Sequence, residues 1–203
     1  MFSIKAFNIF ASMNILVVVA TKDEITTQNN VEVLITGAGI PNTILQLTNH
    51  LNNNKYDLII NVGICGSFKK KYKIGDVVEI KEDNFTEIGY EDREHFVSLN
   101  NQFGITTAFQ VPSITSLPKV NAITVNTVHG NLTSIDKIIN QFNPDVESME
   151  GAACFMVCQY FNIPCMQIRA ISNKVEERDF SKWNISLAIN NLNSSLMKII
   201  KDL

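Results

Sequence analysis

Three stretches of the chain are almost unbroken runs of apolar, largely β-branched residues: "NILVVVA" at 14–20, "DLIINVGICGS" at 57–67 and "IPCMQIRAI" at 163–171. A strand that is apolar on both faces must be covered on both faces. That is the situation of an inner strand in a mostly parallel sheet with helices packed on either side. Each run is shorter than the roughly 18 apolar residues a membrane span requires. Segments with helical spacing lie between and after them. Ile40 to about Leu51 carries Pro41 in its first turn, where the missing N–H does no harm. "LTSIDKIINQF" has Thr133 or Ser134 as its expected N-cap. "ESMEGAACFMVCQYF" at 147–161 is apolar on most sides and expected to be buried, and "SLAINNLNSSLMKIIKDL" closes the chain as an amphipathic helix. "VEVLITGAG" (31–39), "KIGDVVEIKED" (73–83) and "NAITVNTVHG" (121–130) read as further strands, whereas residues 84–119 are polar and without clear periodicity. Strands alternating with helices, with no internal repeat, predict one α/β domain.

Composition narrows the partners. A formal net charge of −3 leaves no surplus to neutralise phosphates, so nucleic acid is not expected. The one dense basic run, "KKKYK" at 69–73, reads as a solvated loop. Cys65, Cys154, Cys158 and Cys165 form no CxxC pair, and they read as reduced, small hydrophobes of a reducing, cytoplasmic compartment. Cys154 and Cys158 share a helical face, but His50, His95 and His129 fall at no ligand spacing, so neither a metal nor an organic cofactor is expected. Residues 1–12 read as an N-terminal extension ahead of a domain spanning 13–203, with Met13 a plausible alternative start. Asn8, Ser12 and Asn14 interrupt the apolar stretch that a signal peptide would need.

The chemistry gathers where strands end. In open α/β sheets, ligands bind in the crevice beyond the carboxyl ends of the strands. "ATKDEI" brings Glu24 there. "GICGS" brings bare backbone at Gly66, with Cys65 beside it, where a ligand can approach closely. "RAISN" delivers Asn173, whose amide sets a donor beside an acceptor and suits a flat heterocycle. Next to them "ESMEG" carries Met149 and Glu150 at the start of a nearly all-apolar helix. A carboxylate is costly to bury there without partners. Glu150 therefore either pairs with a cation such as Arg169 or accepts from ligand hydroxyls such as a ribose diol.

Taken together, "ESMEGAA", "QIRAISN", "TKDEI", "ITGAGI" and "DLIINVGICGSFKKKYKIGDVV" resemble the nucleoside phosphorylase and nucleosidase superfamily. The likeness runs from about Asn14 to the final helix, and "VNTVHG", "DNFTEIGYED" and "KWNI" draw it towards the futalosine-cleaving branch. The resemblance implies a three-layer phosphorylase/hydrolase-like fold with a central mixed β-sheet flanked by helices. It further implies a small nucleoside substrate, no cofactor, and pairing into homodimers. By position it implies that Glu24 activates the attacking water and that Arg169 helps hold it. Glu150 and Met149 would grip the ribose, and Cys65 and Gly66 would face the sugar and the water. His129 falls near the base-stacking aromatic, with a plain turn residue before Gly130 as the alternative. Phe85, Trp183 and Asn184 are candidates for the wall around the rest of the substrate, although Trp183 reads more readily as a packing residue at the start of the last helix.

Two positions depart from the adenine-cleaving members, which carry Asp in place of Asn173 and Glu in place of Ser148. A 6-amino purine offers a donor that a carboxylate accepts, whereas a 6-oxo purine offers an acceptor that a carboxylate repels. An amide donates to O6 while its carbonyl accepts from N7–H as the leaving base gains a proton. Ser148 has no comparable account. The expected activity is hydrolysis of the N-glycosidic bond of a 6-oxopurine nucleoside. An adenine-type nucleosidase, a purine nucleoside phosphorylase and a catalytically silent nucleoside-binding protein are the alternatives. Phosphorolysis is disfavoured by a chain with three arginines, Arg93, Arg169 and Arg178.

Overall fold

The computed structural model describes residues 13–26 and 31–203, so the expected extension, 1–12, lies outside the described residues. The strands are β1 (Ile15–Val19), β2 (Glu32–Ile35), β3 (Leu58–Ser67), β4 (Val77–Phe85), β5 (Gly89–Asp92), β6 (His95–Ser98), β7 (Ala108–Gln110), β8 (Lys119–Thr124), β9 (Val146–Ser148) and β10 (Cys165–Lys174). The helices are α1 (Ile40–Leu51), α2 (Leu132–Phe142), α3 (Gly151–Phe161) and α4 (Ile185–Asp202).

The two longest strands, β3 and β10, lie parallel and adjacent, and β1 and then β2 continue the parallel order beyond β3. From the other edge of β10 the sheet curls: β4 joins antiparallel, β8 joins β4 in parallel and β9 joins β8 in parallel. β9 then meets β3 again at Gly66 and Ser67, so β3, β10, β4, β8 and β9 close a ring. β7 extends β4, and β5–β6 form a separate hairpin. The result is a mixed sheet with helices on both sides, as expected.

The doubly apolar runs do what their pattern demands. Ile15, Val17, Val19, Leu58, Ile60 and Val62 pack with Ala188, Leu192, Leu196 and Ile199 of α4. The alternate residues, Leu16, Val18 and Ile59, pack on the opposite face with Leu47 and Leu51 of α1 and Cys154, Val157 and Cys158 of α3. Each such side chain, fully buried, stabilises the fold by about 1.5–3 kcal/mol. Among the described residues no helix is long and apolar enough to cross a membrane.

Three local expectations are corrected. α2 is capped by Asn131, whose side chain accepts from Thr133 N at 3.0 Å and Ser134 N at 3.3 Å, because the helix starts one residue before the hydroxyl pair. Residues 146–148 form β9 rather than the first turn of α3, since pairing with both β3 and β8 outweighs the helical pattern. The aperiodic 84–119 stretch holds β5, β6 and β7, and most of β5 is solvent-exposed, so no apolar alternation marked it.

Inside the ring, a buried polar network ties α3 to the strands. Asp83 accepts from Thr124 Oγ1 at 2.9 Å and from Gln167 Nε2 at 2.8 Å, while Thr124 Oγ1 accepts from Ala152 N at 2.8 Å. Gly151 makes this approach possible, for a Cβ there would lie 2.2 Å from both Asp83 Oδ2 and Gln167 Oε1. Gly151→Ala is expected to destabilise the protein by about 3 kcal/mol or more, combining overpacking with loss of buried hydrogen bonds. Urea unfolding measures this, and an unchanged midpoint would show that α3 shifts freely.

Burial pushes the Asp83 carboxyl up to about 6, opposed by its bonds to Gln167 and Thr124. The folded state thus binds this proton more tightly than the unfolded chain, where the carboxyl titrates near the ordinary 3.8. The stability it contributes is complete below about pH 4 and is lost as pH rises through about 6, a difference on the order of 3 kcal/mol. Asp83→Asn is expected to flatten that slope. Gln167 Oε1 has no partner among the described residues, so with its amide turned it accepts from the new amide. Thermal melts of both proteins between pH 4 and 7 check the prediction, and parallel curves would contradict it.

Candidate active site

The carboxyl ends of β1, β3 and β10 and the start of α3 surround a cavity of about 350 Å³. Of the residues predicted to form a site, Glu24, Cys65, Gly66, His129, Ser148, Met149, Glu150 and Asn173 all line it.

Glu24 ends a single 3-10 turn, Lys22–Glu24, directly after β1. Three donors fix its carboxylate: Thr21 N at 3.1 Å and Thr21 Oγ1 at 3.2 Å to Oε2, and Ile64 N at 3.1 Å to Oε1. Arg169 lies behind it, outside the cavity lining and 1% exposed, with Nη2 donating to Asn61 Oδ1 at 2.6 Å. Its Nη1 and Nε have no partner among the described residues. The two groups converge over Gly63, where a Cβ would sit 3.0 Å from Arg169 Nη1 and 3.2 Å from Glu24 Oε1.

Glu150 is the N-cap residue of α3, and its Oε1 accepts from Gly39 N at 2.9 Å. Gly39 has φ +91°, a conformation that favours glycine, and so the loop after β2 closes over the carboxylate. Burial raises the Glu150 carboxyl above its ordinary range, while the Arg169 guanidinium opposes that shift. Cys65 is pushed up to about 12 by burial and is a neutral thiol, unsuited to act as a thiolate nucleophile. Ser148 Oγ is buried without a partner among the described residues.

At Asn173 the β10–β3 register slips between Ile171 and Asn173. Such a bulge re-aims the side chains that follow it. Asn173 Nδ2 donates to the Lys174 carbonyl at 2.8 Å, and Ser172 Oγ lies 2.8 Å from Oδ1. A carbonyl can only accept, so the amide's orientation is set by the network. One N–H and one lone pair are left for a ligand.

His129 is held by a carboxylate that sequence reading missed. Its backbone N donates to Glu147 Oε1 at 3.0 Å, and its Nδ1 lies 2.6 Å from Glu147 Oε2. Placed in a helical first turn, Glu147 would be an ordinary solvated acid; on β9 it points into the cavity wall. Ser172, Asp23 and Arg178 also line the cavity. Arg178 donates from Nη2 to the carbonyls of Val128 at 3.2 Å and His129 at 3.4 Å.

Phe85 requires correction. It is 2% exposed, lies outside the cavity lining and packs edge-on against Phe109, with ring centroids 5.8 Å apart, because its position on β4 faces the core. Asn184 is the cap of α4, accepting from Leu187 N at 3.0 Å. Trp183 does line the cavity, with Ile185 and Ile189. The thiols of Cys154, Cys158 and Cys165 lie within 4.8 Å of one another, apart from this cavity; β10 adds the third, which linear spacing did not show.

Comparison with known proteins gives the family and the fold. A futalosine hydrolase of Streptomyces coelicolor is 24% identical over 160 residues, covering 73% of this chain and 67% of that protein. A 5'-methylthioadenosine/S-adenosylhomocysteine nucleosidase of Exiguobacterium is 26% identical over 187 residues, covering 82% of this chain and 77% of that protein. The solved futalosine hydrolase of Helicobacter pylori superposes with a TM-score of 0.81 at 16% identity, covering 95% of this chain and 99% of that one. The model of the phosphorylase superfamily matches residues 21–201, and the chain belongs to that superfamily.

Proposed function

We propose that the protein is a nucleosidase that hydrolyses the N-glycosidic bond of futalosine, releasing hypoxanthine and the dehypoxanthinyl sugar for menaquinone biosynthesis. The observation that carries this reading is the network-oriented Asn173 amide in the same cavity as the Glu24 carboxylate. The amide's free N–H suits O6 of a 6-oxopurine, and its free lone pair suits N7–H of the departing base. Glu150, already fixed by Gly39, accepts from ribose hydroxyls, and its negative charge favours the developing oxocarbenium ion. Glu24 takes a proton from water held between it and Arg169, and that water attacks the anomeric carbon.

Four carboxylates line the cavity, Asp23, Glu24, Glu147 and Glu150, against one arginine in the lining, Arg178, and a second, Arg169, behind Glu24. That balance favours water over a phosphate dianion as nucleophile. Cleavage of 6-amino nucleosides is the second reading, and the 26% identical relative speaks for it. The test is product analysis with futalosine, aminofutalosine, methylthioadenosine and inosine, with and without phosphate. Free hypoxanthine from futalosine in phosphate-free buffer is expected, and a requirement for phosphate would overturn the hydrolytic reading.

A further inference from the structure

A hypoxanthine anion leaves poorly, so the bond to C1′ breaks readily only if the base is protonated as it departs. Asn173 orients the base but has no titratable proton to give. We propose that His129, held by Glu147, is the general acid that supplies this proton. The proposal rests on the hydrolase reading above.

Glu147 is 4% exposed and accepts from both the backbone N of His129 and its ring. A carboxylate beside Nδ1 keeps the ring hydrogen there, leaving Nε2 as the nitrogen that exchanges a proton with a ligand. The position follows from strand order. Gly66 pairs with Glu147 on β9 to one side and with Asn173 on β10 to the other. A Cβ on Gly66 would lie 3.3 Å from Asn173 Nδ2 and 3.6 Å from Glu147 Cγ. The amide and the carboxylate therefore flank one bare glycine across neighbouring strands, about 4.8 Å apart. A base lying over Gly66 against Asn173 meets the imidazole that Glu147 holds.

The step balances. The base–C1′ bond breaks with its electron pair staying on the base, and the His129 Nε2 proton passes to N7. The water oxygen bonds to C1′ as Glu24 takes one proton from it. Glu24 then releases that proton and His129 regains one from solvent, so the sum is addition of one water. Glu147 acts through His129 and is a positioning residue.

The experiment compares futalosine with 4-nitrophenyl β-ribofuranoside, whose phenolate leaves without protonation. His129→Gln and His129→Phe, each checked by its melting curve, are expected to lose about 100-fold or more in kcat on futalosine. On the nitrophenyl riboside they should stay within about threefold of wild type, and Glu147→Gln should show the same contrast more weakly. Equal losses on both substrates would reassign the pair to a structural role. Full futalosine activity in His129→Phe would leave only a stacking role, whatever the second substrate shows. Wild-type protein that releases no hypoxanthine would sink the hydrolase reading itself, a result distinct from either of these.

Discussion

Glu24→Gln is expected to lower kcat for nucleoside hydrolysis by about 1,000-fold or more, roughly 4 kcal/mol of barrier, with KM changed only a few-fold. The substitution keeps shape and removes the base. One amide oxygen can still accept from Ile64 N, as Oε1 does at 3.1 Å. The other end then sets an NH₂ against the Thr21 N–H that donates to Oε2 at 3.1 Å, a donor facing a donor. A stability loss of about 1 kcal/mol should accompany the change. That is too little to unfold the protein and far too little to explain the kinetic loss. Steady-state release of hypoxanthine, with a melting curve on the same sample, separates the two effects. A variant within tenfold of wild type would remove Glu24 from the chemistry.

Asn173→Asp is expected to move the ratio of kcat/KM for futalosine over aminofutalosine towards the amino substrate by about 1,000-fold or more. Two physical effects add. An aspartate oxygen in place of Nδ2 would sit about where that atom now donates to the Lys174 carbonyl at 2.8 Å, acceptor against acceptor. Closeness to the carbonyl favours the protonated acid, as hydrogen bonding to the neutral form does generally. A carboxyl protonated towards the Lys174 carbonyl keeps a lone pair on that same oxygen, an acceptor for a 6-amino group where Nδ2 offered O6 a donor. In its ionised form it repels O6. If the ratio holds within tenfold, base recognition lies elsewhere in the cavity.

Much of this site was legible because its residues sit at the ends of strands whose apolar runs are hard to mistake. β1, β3 and β10 declared themselves through residues buried on both faces, and their tips led to Glu24, Cys65, Gly66 and Asn173. Glu147 was hidden for a different reason. Its segment fits a helix locally, and only pairing with β3 and β8, remote in sequence, turns it into a strand. Phe85 was misread because an aromatic in a polar stretch carries no sign of which way its strand faces. Ser172 is the extra residue of the bulge and Arg178 lies in the loop beyond β10, and linear spacing encodes neither placement.

The central claim is that a fixed amide reads a keto purine while water takes the sugar. Its most direct test is the wild-type ratio of kcat/KM for futalosine over aminofutalosine in phosphate-free buffer. A ratio of about 100 or greater is predicted, since the wrong base leaves buried polar groups unpaired. A ratio near one, or in favour of the amino substrate, would contradict it.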